Sequence, residues 1–155
     1  MKRVLFICLG NICRSPMAET IMQDLIEKQQ LESEIQVDSA GIISYHEGEK
    51  ADSRMRNFAY QRGYYITHIS RPVTTDDFRH FDYIVGMDDD NIRALQSKAP
   101  GDSKAKIVLM TDFCKTIKAS SVPDPYYGGA QGFTYVIDVL EDACQGMLEF
   151  LLKQK

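Results

Sequence analysis

Short continuous runs of apolar residues alternate along the chain with apolar residues at helical spacing. The runs at residues 4–8 and 83–87 are typical of strands that are buried on both faces of a sheet. Residues 35–40 and 105–110 have the length and composition of two more strands. The pattern therefore predicts four strands that are separated from one another by helical segments.

Apolar residues three and four positions apart predict helices between these strands. The first helix begins beside Ser15, its expected N-cap, and Pro16, whose missing N–H costs nothing at a helix start. A predicted loop over about residues 111–133 precedes the last helix, which is amphipathic. The predicted helices cover residues 16 to about 30, 53–62, 74–78, 88 to about 98, and a C-terminal segment around 136–151.

Strands that alternate with helices predict one α/β domain over residues 1–155, built on a parallel sheet with helices on both faces. In such sheets, ligands bind beyond the carboxyl ends of the strands. The first predicted strand ends at Cys8. The loop that follows Cys8 is therefore the first candidate for a functional site.

Length, composition and net charge exclude several classes of protein. The 155 residues fit one domain, and four scattered cysteines are too few for a secreted disulfide framework. A net charge of −4 argues against a nucleic-acid or membrane-surface binder. No run approaches the ~20 apolar residues that span a bilayer, so we expect no membrane insertion and a reducing, cytoplasmic location. Any anion must be held by a local group of donors.

The loop after the first strand contains such donors. Backbone N–H groups between a strand and a helix can point at one phosphoryl group. Gly10 allows close approach, Asn11 can bond loop backbone groups, and Arg14 offers a planar fork for two oxygens. In this setting the thiolate form of Cys8 is favoured and can attack phosphorus, with the Ser15 hydroxyl stabilising the thiolate.

A plainer interpretation of the same loop is packing. A cysteine at the end of a buried strand is often a small core residue, and the spacing of Cys8 and Arg14 is weak support by itself. The loop is not a Walker loop, because its Gly-x4-Gly-Lys pattern is absent. No metal is expected, because Cys8 and Cys13 lack a second ligand pair at metal spacing.

Four sequence blocks resemble those of the low-molecular-weight protein tyrosine phosphatases. Residues 8–19 (Cys-Leu-Gly-Asn-Ile-Cys-Arg-Ser-Pro-Met-Ala-Glu) are similar to the family signature. Residues 38–41, residues 81–88 with Asn91, and residues 124–127 follow in the family's order. The resemblance covers nearly the whole chain. It implies a four-stranded parallel sheet of flavodoxin-like order and phosphate monoester hydrolysis without a metal or cofactor.

The resemblance also implies roles for single residues. It makes Cys8 the nucleophile that forms a phosphocysteine and Asp124 the general acid, which later activates water as a base. Without the resemblance, Asp124 between two prolines would be read as a turn. The phosphate-binding residues implied are Leu9, Gly10, Asn11, Ile12, Cys13, Arg14 and Ser15.

Further residues are implied as walls of the substrate pocket. Tyr126 and Tyr127 would contact an aromatic substrate, although core packing is the alternative for either. Tyr45 would form the opposite wall, where similar members carry Trp. Ile12 stands where members that act on phosphoarginine tend to carry Thr, so it favours phosphotyrosine. In similar members the equivalent of Cys13 forms a reversible disulfide with the nucleophile; a buried spacer thiol is the alternative.

Other chemically capable residues are given structural roles. His46, His68 and His80 are interpreted as polar support or surface, and the acidic run 88–90 as a solvated helix start. Arg71 precedes a proline where the family pattern has Gln, which leaves the local backbone path open.

Two functions compete with the phosphatase. A thiol-dependent arsenate reductase has this fold and loop but needs a relay of nearby cysteines, and Cys114 and Cys144 are far apart in sequence. A phosphopeptide-binding module would not need a nucleophile and an acid together. The expected partners are phosphotyrosine-containing proteins, with a tyrosine kinase as one candidate, and the chain is expected to be a monomer or to self-associate weakly.

Overall fold

The chain folds around a four-stranded parallel sheet. The structure is a computed structural model that describes residues 1–125 and 129–154. The strands run in the order β2-β1-β3-β4, and each neighbouring pair is parallel. This confirms the predicted α/β class and flavodoxin-like order. Their bounds are β1 Lys2–Cys8, β2 Ile35–Gly41, β3 Tyr83–Gly86 and β4 Lys106–Leu109.

The connections between the strands carry the helices. A short 3₁₀ helix, Met110–Phe113, follows β4. The α-helices are α1 Arg14–Lys28, α2 Ser53–Gln61, α3 Thr75–His80, α4 Asp89–Lys98 and α5 Ala130–Lys153. Within the described ranges, no helix is both long enough and apolar enough to cross a bilayer.

Alternate residues of β1 enter two separate cores, because successive side chains of a strand point to opposite faces. Val4 and Phe6 pack into the larger core, which includes α1 and α5. Leu5 and Ile7 pack into the smaller core, which includes Phe78 of α3. Helices therefore cover both faces of the sheet, as the continuous apolar run predicts.

The structure confirms one predicted helix start and corrects another. The short helix predicted near residue 74 is confirmed, and Thr74 and Asp77 form a capping box. The expected N-cap at Ser15 is wrong: α1 begins at Arg14, and Cys13 holds the cap position without a side-chain bond. The hydroxyl of Ser15 instead contacts other side chains of the loop, described below.

The C-terminal helix begins earlier than predicted. α5 starts at Ala130, inside the segment expected to be a loop, and Phe133 in its first turn is buried. The apolar repeat of α5 begins with this residue, and packing of Phe133 against Phe58 (ring centroids 5.7 Å apart) stabilises a helix start that no capping side chain marks.

Candidate active site

The loop between β1 and α1 is shaped by bonds to its carbonyl oxygens. The carbonyls of Cys8 and Leu9 accept N–H groups from Ile42 and Ile43, which follow β2. The carbonyl of Gly10 accepts the Ser70 hydroxyl at 3.0 Å. Three successive carbonyls are thus bonded to residues outside the loop, and a nest of inward-facing N–H groups needs its carbonyls directed outward in this way.

Cys8 and Ser15 form the base of this loop. The Sγ of Cys8 lies 3.0 Å from the Oγ of Ser15, and Cys8 is only 3 % exposed. The Ser15 Oγ also accepts a bond from the amide nitrogen of Asn11 at 2.8 Å. The hydrogen of the Ser15 hydroxyl has two acceptors in reach, the sulfur of Cys8 and, at 3.4 Å, the carbonyl of Ala40, and the sulfur is the nearer. Ser15 is therefore placed to stabilise a thiolate, as expected.

The side chain of Asn11 holds the loop in its strained conformation. Its φ is 59°, in the left-handed region. Its Oδ1 accepts the backbone N–H of Arg71 at 3.0 Å and lies 2.8 Å from Nε2 of His68. Its Nδ2 donates to Ser15 and Ser39. These bonds run to residues outside the loop backbone, which corrects the expectation that Asn11 would bond the loop's own backbone groups.

Arg14 is buried and surrounded by acceptors. Its Nη1 donates to Oδ2 of Asp88 at 2.6 Å and to the carbonyl of Val122 at 3.0 Å, and its Nη2 lies 3.6 Å from Oδ2 of Asp124. Burial opposes the charged guanidinium, but the negative charges of Cys8, Asp88 and Asp124 outweigh it and raise the pKa of Arg14. Arg14 therefore stays a cation at the bottom of the loop.

Asp124 lies at the rim of the same site. Its side chain is 38 % exposed, within reach of solvent and of the Arg14 guanidinium. It borders the same cavity as the Cys8 thiol. Tyr126 and Tyr127, which were expected to contact the substrate, lie outside the residues that the structure describes.

One cavity unites most of the predicted site residues. It has a volume of about 290 Å³ and is bordered on one side by Tyr45, which is 81 % exposed. Ile43 and His46 also line it and were not predicted; their position just after the carboxyl end of β2 could have indicated them. The lining residues are Cys8, Leu9, Gly10, Ile12, Cys13, Arg14, Ile43, Tyr45, His46 and Asp124.

Cys13 borders the cavity as a buried, protonated thiol. Burial raises its pKa, and the charges of Asp52, Cys8 and Asp124 raise it further. Both thiols are free, as are Cys114 and Cys144. The two loop cysteines thus differ in character: Cys8 contacts a hydroxyl, while Cys13 is held neutral.

Several supporting residues were not predicted in their roles. Asp88 was interpreted only as part of a solvated helix start; it does cap α4 through the N–H of Asn91, but it also holds Arg14. His68 supports the loop through Asn11, which refines its interpretation as polar support. Its Nδ1 faces Glu19 and Asp38, and these three residues could together hold a metal. Asp88 could have been found from its place at the carboxyl end of β3, beside the end of β1.

Fold and site together define an α/β protein in which a thiol, a guanidinium and a carboxyl group line one cavity beside the loop between β1 and α1. The family model for the low molecular weight phosphotyrosine protein phosphatases matches residues 3–155. The chain belongs to this family.

Individual relatives agree with this membership. A low molecular weight phosphotyrosine protein phosphatase of Drosophila melanogaster is 41% identical over 99% of both chains. One of Gallus gallus is 40% identical over 96% of this chain and 95% of its own. A crystal structure of a protein tyrosine phosphatase from Entamoeba histolytica superposes with a TM-score of 0.95 at 52% identity, covering 99% of this chain and 98% of that one.

Proposed function

We propose that this phosphatase hydrolyses phosphotyrosine in proteins through a phosphocysteine on Cys8, with residues 1–155 acting as one domain. The observation that carries the proposal is the meeting of Cys8, Arg14 and Asp124 at one cavity. Nucleophile, cation and acid are the three groups that in-line transfer of a phosphoryl group from an aryl ester requires.

In the first step the Cys8 thiolate attacks phosphorus. The S–P bond forms as the bond from phosphorus to the tyrosyl oxygen breaks, and Asp124 gives its proton to that oxygen. Arg14 and the N–H groups of residues 9–15 bind the equatorial oxygens, whose charge is greatest in the transition state. The exposure of Asp124 at the rim supports this role, because the leaving oxygen faces outward from the buried sulfur.

In the second step water replaces the sulfur. Asp124, now a carboxylate, takes a proton from a water molecule while the oxygen of that water attacks phosphorus. The S–P bond breaks and inorganic phosphate is released. Ser15 stabilises the departing thiolate; its Oγ is 3.0 Å from the sulfur. The same hydroxyl therefore serves attack and departure.

The walls of the cavity favour a flat aromatic substrate. Ile12, Ile43 and Tyr45 line the cavity that contains the buried thiol and give it apolar and aromatic surface. We assign the remaining contacts with the substrate ring to Tyr126 and Tyr127. An aryl phosphate is long enough to reach the buried Cys8 through this cavity, which favours phosphotyrosine over the shorter phosphoserine. The proposed partners are phosphotyrosine-containing proteins, including tyrosine kinases. The enzyme is proposed to be a monomer or to self-associate weakly.

Cys13 is proposed as the redox partner of Cys8. Both thiols border one cavity and both are nearly buried. A sulfenic acid on Cys8 would condense with the Cys13 thiol, releasing water and forming a disulfide. Because a reduced Cys8 is needed for catalysis, a reducing compartment such as the cytoplasm suits the enzyme.

The deciding experiment compares matched peptides that carry phosphotyrosine, phosphoserine or phosphoarginine. We expect the highest kcat/KM for phosphotyrosine, with turnover abolished in Cys8→Ser and phosphate binding retained. Preferred hydrolysis of phosphoarginine would contradict the substrate assignment. Peptide binding without phosphate release would favour the binding module, and arsenate-dependent oxidation of an added thiol would favour the reductase.

A further inference from the structure

Three possible metal ligands converge next to the phosphate-binding loop, and none of them lines its cavity. They are Glu19 on α1, Asp38 on β2 and His68 in the segment after α2. We propose that these three side chains form a binding site for a divalent transition-metal ion, with Zn²⁺ as the representative ion. The proposal does not rest on the proposed phosphatase chemistry and is tested without it.

The distances suit a tetrahedral ion. His68 Nδ1 lies 3.1 Å from Oε1 of Glu19 and 3.5 Å from Oδ1 of Asp38, and all three ligand atoms lie within 4.8 Å of one another. Ligand atoms about 2.0–2.1 Å from a tetrahedral zinc ion are roughly 3.4 Å apart. Three protein ligands of this kind leave a fourth position for water.

The ring of His68 is oriented as a metal ligand would be. Its Nε2 lies 2.8 Å from Oδ1 of Asn11, an oxygen that can only accept and that also receives the N–H of Arg71. Nε2 therefore carries the hydrogen, and Nδ1 is the nitrogen that faces the two carboxylates. Metal-binding histidines are commonly held in this way through the nitrogen that does not bind the metal.

The two carboxylates are held by partners of their own. The other oxygen of Asp38 pairs with Arg71 at 3.0 Å, and Oε1 of Glu19 accepts the hydroxyl of Ser39 at 2.7 Å. Arg71 also makes two contacts with Asp77, at 2.9 and 3.1 Å, so its charge is largely balanced before a cation arrives. These contacts fix the directions of the ligand oxygens.

The cluster is open to an entering ion. The side chain of His68 is 10 % exposed, and those of Glu19 and Asp38 are 22 % and 37 % exposed. The metal–nitrogen bond forms through the lone pair of His68 Nδ1, because the hydrogen of the ring is on Nε2. The Nε2–H bond to Asn11 is retained, so the bound ion is linked through Asn11 and Ser15 to the base of the loop.

The test uses the full chain with Cys8→Ser and Cys13→Ser, which removes the thiols of the cavity as competing ligands. Co²⁺ replaces Zn²⁺ as a spectroscopic probe. We expect one Co²⁺ to bind with visible d–d absorption, without a sulfur-to-cobalt charge-transfer band, and to be displaced by Zn²⁺. We also expect the Tm to rise with metal concentration, because the folded chain is the form that binds.

Two variants in that background locate the ion. Glu19→Gln keeps the oxygen that accepts from Ser39 while removing the charge, and Asp38→Asn tests the second carboxylate independently. Each should weaken Zn²⁺ binding at least tenfold by calorimetry. The control Asp24→Asn removes a carboxylate of the same helix, paired with Lys28 outside the cluster, and should bind like its parent.

Three results would overturn the proposal. They are absence of saturation in a millimolar titration, a charge-transfer band from sulfur, and unchanged affinity in both carboxylate variants. The Tm of each variant without metal shows that it is folded, so a loss of binding cannot be mistaken for unfolding.

Discussion

Arg14 donates a hydrogen bond of 2.6 Å to Asp88, which joins the first turn of α1 to the residue that caps α4. Two residues that are far apart in sequence thus fix the direction of one guanidinium. Asp88 and Val122 both hold Nη1 of Arg14. Because the guanidinium is planar, these two bonds also fix the orientation of its remaining N–H groups. The geometry of the proposed phosphate site depends on this pair as well as on the loop itself.

Asp88→Asn should lower kcat/KM about 10- to 100-fold, because Arg14 loses the charge that positions it. Asparagine is also a good N-cap, so α4 is expected to persist. The measurement is steady-state kinetics together with inhibition by inorganic phosphate, which should weaken in parallel. Asp89→Asn, an exposed neighbour in the same turn, is the control and should stay within about twofold of the parent. Equal effects of both substitutions would refute a positioning role.

Ser15→Ala should slow the second chemical step by about 10- to 100-fold, the loss expected for a hydrogen bond to a charged sulfur. Rapid quenching with p-nitrophenyl phosphate should then show a larger burst of p-nitrophenol before a slower steady state. Ser39→Ala is the matched control, since Ser39 also accepts from Asn11, whereas the sulfur of Cys8 is hydrogen-bonded to Ser15. A burst that is unchanged in Ser15→Ala would remove the assigned role in thiolate departure.

Asp124→Asn should lower kcat/KM by about 10²- to 10⁴-fold for phenols that leave poorly, and less for phenols that leave well. The reason is that only poor leaving groups depend on the proton from Asp124. A plot of log kcat/KM against leaving-group pKa should therefore become steeper. A uniform loss across the series would mean that Asp124 acts through Arg14 alone.

Alkaline pH should destabilise the folded chain through Cys13. Its folded pKa is raised above the ordinary value of 9.0, chiefly by burial, so above that pH the unfolded chain releases a proton that the folded chain retains. The stabilisation is complete below pH 9 and declines as pH rises, by up to about 1.4 kcal/mol per pH unit. Urea unfolding from pH 8 to 10 measures this slope, and Cys13→Ser should reduce it. The same slope in both proteins would argue against the neutral thiol.

Brief peroxide treatment should produce a disulfide between Cys8 and Cys13. Peptide mapping by mass spectrometry should find the linked peptides, and a thiol reductant should restore activity. In Cys13→Ser the same treatment should carry Cys8 on to sulfinic acid, which the reductant does not reverse. Equal recovery of the two proteins after reduction would show that Cys13 gives no protection.

Much of this site could be predicted because it is contiguous. Cys8 ends β1, and Arg14 and Ser15 begin α1, so the three residues lie on the two sides of one short loop. A buried strand followed by a helix indicates where that loop lies. Asp124 was found only through the family pattern, since an aspartate between prolines is otherwise a turn. The partners of Asn11 could not be predicted, because no local pattern marks a side chain that bonds across the sheet. For Arg14, the place of Asp88 at the end of β3 indicates a candidate partner, but only the structure shows the contact.

The sequence by itself determined the alternation of strands and helices and the loop that carries the proposed nucleophile, since apolar periodicity and local backbone chemistry act over a few residues. The expected strand order came only from the resemblance to the family. The tertiary structure alone decided that Asp88 holds Arg14 and that His68 faces Glu19 and Asp38. Parallel pairing brings the carboxyl ends of β1, β2 and β3 to one edge. Which side chains meet there depends on strand register and packing, and these arise only when the whole core forms.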